Sequence, residues 1–167
     1  MKVPNEIKQY TSNARYFLEA ADKHPSPTKD AAQILLLTIA WENIVIADKK
    51  LHAWVFKGNI QPNLLRSHEA KLDEISKDSF ITRVIVGKPG GGVPTKEIKY
   101  NSGKDLSKLR EICQYGDNNE THEVAKLFYR GWHTDNFRRS LQNKLDWTEL
   151  GIRIYEELDT SSTPNNP

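Results

Sequence analysis

Glu42 lies within residues 31–56, AAQILLLTIAWENIVIADKKLHAWVF, a stretch that is apolar almost all the way round a helix in its first half. A helix without a polar stripe has to be covered by other helices, so a carboxylate inside it needs a basic partner or a proton. Few residues combine the right type and spacing to answer it. His68 and Lys71 stand three apart in His68-Glu69-Ala70-Lys71, on one face of a helix. Arg110 and Tyr115 flank Glu111-Ile112-Cys113-Gln114. A histidine can move a proton near neutral pH, and a guanidinium can hold an anionic oxygen in a fixed fork. Each residue also has a plainer use: Glu42 in an ion pair that fixes helix register, His68 and Lys71 on a partly exposed face, Tyr115 packed under a helix end capped by Gly116.

Other chemistries fail on spacing. His68-Glu69 and His122-Glu123 begin like a zinc-protease helix, but neither histidine is followed by a second one four positions on. Neither a metal nor a cofactor is expected. Gly90-Gly91-Gly92 runs into Val93-Pro94 rather than Lys-Ser/Thr and a helix, so it reads as a turn. Cys113 lies in an amphipathic pattern and reads as an inert thiol. A lone cysteine and the absence of an export-like leader point to the cytoplasm. Residues 31–47 include Gln33, Thr38, Glu42 and Asn43 and fall short of a membrane span, and mean hydropathy is −0.67, so a soluble core helix is expected.

The elements that position these groups are helical. With 167 residues, one domain over 1–159 with a polar, disordered tail over 160–167 is the natural division. Ile7, Tyr10, Ala14, Phe17, Leu18 and Ala21 predict a helix over 5–23. Pro25-Ser26-Pro27 ends it, with Ser26 and Pro27 suited to start the long apolar helix. Further helices are predicted over 63–77, 104–115, 120–132 and 134–158, the last broken near a capping-box pattern at Asp146-Trp147-Thr148-Glu149. Between them, Phe80–Val86 and Val93–Tyr100 predict a β-hairpin or glycine-rich loop. Among the tryptophans, Trp41 is expected in the core, and Trp132 is a candidate dimer face. The fold class is all-α: a compact antiparallel bundle with an insertion around 80–100.

Net charge is only +2, so a nucleic-acid surface has to rest on local clustering. Arg83, Lys88, Lys96, Lys99, Lys104, Lys108 and Arg110 are opposed between them only by Glu97 and Asp105. Such a run can track phosphates, or simply keep an exposed hairpin soluble. Arg138-Arg139 is a weaker second patch.

Taken in order, Asn13-Ala14, the Ala-rich helix with a central acid, His68-x-x-Lys71 and Arg110 to Tyr115 resemble the AbiV-type abortive-infection proteins, a branch of the HEPN helical superfamily. The resemblance spans most of residues 10–120. It implies a HEPN-like bundle, paired as a homodimer, that arrests growth or translation of a phage-infected cell through a phage or host translation component or through RNA. Active HEPN ribonucleases cleave RNA without metal, using an Arg and a His a few residues apart. On that pattern Arg110, with Tyr115 or His68, is the catalytic candidate, and Glu42 and Lys71 are motif residues. Two departures stand out. The chain has Glu42-Asn43-Ile44-Val45-Ile46 where the family has two adjacent acids and Gly-Lys, and Gln114 or Tyr115 occupies the place of the ribonuclease histidine. Arg130-Gly131-Trp132-His133 has the residue types at too short a spacing. A helical interaction module with no toxic role is the third expectation.

Overall fold

The computed structural model describes residues 2–23, 29–77, 103–115 and 132–161. They form six helices and, among the described residues, no strand: α1 (Asn5–Lys23), α2 (Lys29–Phe56), α3 (Pro62–Arg66), α4 (His68–Lys77), α5 (Gly103–Tyr115) and α6 (Trp132–Ser161). The hairpin region 80–100, the helix expected over 120–132, Ser26, Pro27 and Gly116 lie outside the described residues.

α2 is the axis of the bundle and packs against α1, α4, α5 and α6. Ile34, Leu37, Ala40, Trp41, Ile44, Val45 and Ala47 are fully buried and join Ala14, Leu18, Leu72, Leu109, Leu141 and Leu145 in one core. The segment Ala31–Phe56 is long and apolar enough to cross a membrane by length and composition, more than residues 31–47 alone indicate. Its apolar surface is spent on neighbouring helices instead: most of it is buried inside the bundle. A smaller cluster of Val3, Ile7, Leu51 and Ile152 closes the far end, where Gly151 lets α6 approach Leu51.

α1 runs antiparallel to both α2 and α6. Gln33 donates to the carbonyl of Ala21 at one end while Lys50 pairs with Glu6 at the other. Lys8 with Glu156, Arg15 with Glu149 and Arg138 with Asp22 mark the α1/α6 seam, the last two as bidentate forks. Glu149, with Asp146 and Glu19 adding their charge, raises the Arg15 guanidinium above its ordinary range. The bundle is not antiparallel throughout. Lys144 meets Asp48 and Gly151 meets Leu51, so α6 runs with α2, and α4 does the same.

Two expected boundaries move. α6 is continuous through Asp146 and reaches Ser161, beyond the expected domain end at 159. The capping box is not used: Asp146 accepts from Gln142 within the same helix, Glu149 is held by Arg15, and the buried Thr148 hydroxyl donates back to the carbonyl of Lys144. The helix expected over 63–77 is two helices. Ser67 is extended (φ −99°, ψ 125°); its N–H closes α3 on the carbonyl of Asn63, and its hydroxyl accepts the N–H of Ala70 to open α4.

Candidate functional site

The break at Ser67 sets the site. After α2 ends, residues 57–67 carry the chain back along α2, so that α4 starts beside Glu42 and then runs the same way, with Glu74 reaching Lys49 at 2.8 Å. Trp41 fixes that registration. Its indole N–H donates to the carbonyl of Lys71 at 3.3 Å, while its ring packs against Phe137 and under the ammonium of Lys144. The residue next to Glu42 therefore anchors the backbone of a residue that faces Glu42. Nothing in residue types alone marked Trp41 and Ser67 as supports; the tryptophan adjoining the buried acid and the serine preceding His68 were the available signals.

Three bases converge on the carboxylate. His68 Nδ1 lies 2.7 Å from Glu42 Oε2, Lys71 Nζ lies 3.9 Å from the same oxygen, and Arg110 Nε lies 3.2 Å from Oε1. The Glu42 side chain is 7 % exposed. Lys71 and Arg110 are also largely enclosed, whereas the His68 ring is 48 % exposed and forms the open side of the cluster. Arg110 reaches in because Leu106 and Leu109 turn that face of α5 into the core. Arg110 Nε and Glu42 Oε1 meet at ion-pair distance without the alignment of a hydrogen bond. The pair is therefore Coulombic rather than directional.

Two chemical consequences follow. A carboxylate only accepts, so the proton in the Glu42–His68 bond sits on Nδ1, and Nε2 is the ring nitrogen left to exchange a proton. One acid facing an arginine, a lysine and a histidine also leaves the cluster with surplus positive charge, which favours an anion at the open side beside His68.

The remaining candidates are placed as follows. Tyr115 ends α5 five residues beyond Arg110, which turns it roughly 140° round the helix. It is 76 % exposed, accepts from Gln114, and stands apart from the cluster. Lys104 and Lys108 are exposed on α5. Arg83, Lys88, Lys96 and Lys99, and the His133 side chain, lie outside what is described. Arg138 is engaged by Asp22, while Arg139 is exposed. Asn43, where the resembled family has its second acid, donates to the carbonyl of Ile39 in its own helix. Cys113 is partly buried, and that burial pushes its thiol up to about 11. Among the described residues no group of three His, Cys, Asp or Glu is placed to hold a metal. Trp41 is in the core as expected; Trp54 packs edge-on against Tyr155, and Trp147 is 73 % exposed.

Compared with protein-family models, curated proteins and solved structures, the chain matches none.

Proposed function

We propose that this chain is an abortive-infection protein of the AbiV-like, HEPN-related kind, which arrests growth of the host cell from the cytoplasm by engaging a phage or host translation component or RNA. One observation carries the reading: His68, Lys71 and Arg110, the basic residues of the resemblance, come from two separate helices to Glu42 of a third. The test is labelled amino-acid incorporation after induction of the wild type and of Arg110→Ala, with melting curves of both and with phage challenge in parallel. Synthesis that stops only with wild type supports the reading. Undiminished synthesis in both infected and uninfected cells would overturn it.

The half-exposed His68 ring favours a second reading, a metal-independent endoribonuclease. His68 Nε2 takes the proton of a ribose 2′-hydroxyl, the 2′-oxygen bonds to phosphorus, the P–O5′ bond breaks, and water protonates the departing oxygen. Lys71 and Arg110 sit where they favour the phosphate charge. RNA cleavage that persists in EDTA and disappears in His68→Ala supports this. RNA left intact at high protein concentration sinks it.

For the partner we favour a second copy of the chain. Trp147, Leu150, Ile154 and Leu158 are exposed along one stripe of α6. Asp146 and Arg153, seven residues apart on one edge of that stripe, carry opposite charges. A two-fold antiparallel copy sets Asp146 beside Arg153 of the partner subunit, twice. Sedimentation equilibrium tests this: a dimer that Trp147→Ser turns into a monomer supports it, and a monomeric wild type excludes it.

A further inference from the structure

The return of the chain along α2 leaves a half-open hollow of about 380 Å³ between the end of α2, the connection over 57–61 and α3/α4. That is within the size range of small-ligand sites, roughly 300–1,000 Å³. One side is an aromatic shelf. The rings of His52 and Phe56, four apart and so on one face of α2, lie 4.5 Å apart at 36°, and Phe56 is 68 % exposed. Asn59 and Gln61 line the same hollow, and both are exposed. Among the described residues neither amide makes a side-chain hydrogen bond. Leu64 and Ile60 give the hollow an apolar base.

Its charges are already answered. Asp48 pairs with Lys144 at 3.1 Å and Glu74 with Lys49 at 2.8 Å. The hollow therefore suits a planar, uncharged, hydrogen-bonding group better than an ion. Lys57, in the chain between the lining residues Phe56 and Gly58, is exposed and makes no ion pair among the described residues, which suits a phosphate attached to that group.

We propose that this hollow is a nucleobase-binding site: the base stacks on the Phe56–His52 shelf and offers its edge to the amides of Asn59 and Gln61. Stacking on an exposed aromatic accepts any base, while a side-chain amide pairs in bidentate fashion with the N6/N7 edge of adenine, so adenine is the preferred occupant. The base belongs either to a free nucleotide or to single-stranded RNA. His52 and Glu42 are ten residues apart on α2, about 15 Å along its axis, so an RNA strand leaving the hollow can bring a phosphate to the basic cluster. The site goes beyond the growth-arrest reading and stands without it.

The experiment titrates the full chain with AMP and, separately, with a short oligoriboadenylate, by calorimetry and by fluorescence anisotropy of a labelled strand. Saturable binding of AMP identifies a free-nucleotide site, and binding of the oligonucleotide alone identifies RNA. In either case Phe56→Ala, whose ring is mostly outside the core, weakens binding by about tenfold or more with an unchanged melting temperature, and Phe56→Tyr restores it. Gln61→Ala lowers the preference for adenine over uracil probes. No saturable binding of either probe, or a Phe56→Ala protein that binds like the wild type, overturns the proposal.

Discussion

Trp41 and Lys71 are joined by one hydrogen bond, from the indole N–H to the main-chain carbonyl at 3.3 Å, and that bond sets where α4 lies against Glu42. Trp41 is fully buried. Trp41→Phe keeps most of the ring volume but removes the indole donor to the Lys71 carbonyl. The expected cost is about 2–4 kcal/mol in a urea titration, from a lost buried hydrogen bond and a small cavity. A shift below about 0.5 kcal/mol would show that the bond does not hold α4.

Glu42→Ala is the more severe change. It removes the acid that, among the described residues, faces three bases, two of them largely enclosed, and leaves those charges uncompensated. Breaking a buried pair in this way costs about 3–5 kcal/mol, so denaturant midpoints fall well below the wild type. An unaltered midpoint would contradict a structural role for Glu42.

His68 separates structure from function. Its ring is half in solvent, so water can replace much of its hydrogen bond to Glu42, and His68→Ala is expected to cost no more than about 1 kcal/mol. A folded His68→Ala protein that no longer arrests synthesis or cleaves RNA would place the chemistry at the open side of the cluster. Full activity would place it elsewhere.

Cys113 gives a pH signature. Burial raises its folded pKa from 9.0 to about 11, so between these values the unfolded chain has lost a proton that the folded one keeps. The stabilisation is complete below pH 9 and is lost as pH rises toward about 11. Native protein at pH 8 should react slowly with a thiol reagent, and denatured protein quickly. Equal rates would mean that the thiol is open to solvent.

Trp147→Ser leaves the monomer's own packing intact, because the indole is 73 % exposed. In dilute protein its effect on stability should stay within about 0.5 kcal/mol, measured where any dimer has dissociated. A larger loss would mean that the tryptophan is covered by its own chain.

Much of this arrangement was legible in the chain. An acid in an otherwise apolar helix demanded a base, and a three-residue spacing placed His68 and Lys71 on one face to supply it. Helix starts and stops were harder, because they depend on what a side chain touches. Asp146 and Glu149 read as the two ends of a capping box until one is seen to accept from Gln142 and the other from Arg15, whereas Ser67 reads as an ordinary helix residue until its backbone proves extended. The hollow beside Phe56 was not legible at all. Its residues gain meaning only because the chain doubles back along α2, a path that periodicity does not encode. Direction was invisible for the same reason: nothing in the spacing says that α4 and α6 run with α2 rather than against it.

Glu42 leaves the ribosome before every base that answers it, with His68 and Lys71 next and Arg110 last. Until α4 has been made, the growing chain holds an acid in its most apolar segment with nothing to neutralise it, so α2 gains little by settling into a core early. Arrival of α5 supplies the last of the three bases and commits the segment. The cluster is therefore expected to close only once α5 has been made. A chain cut short before Gly103 keeps the greasy helix but lacks Arg110, and it should aggregate or be degraded rather than persist partly folded.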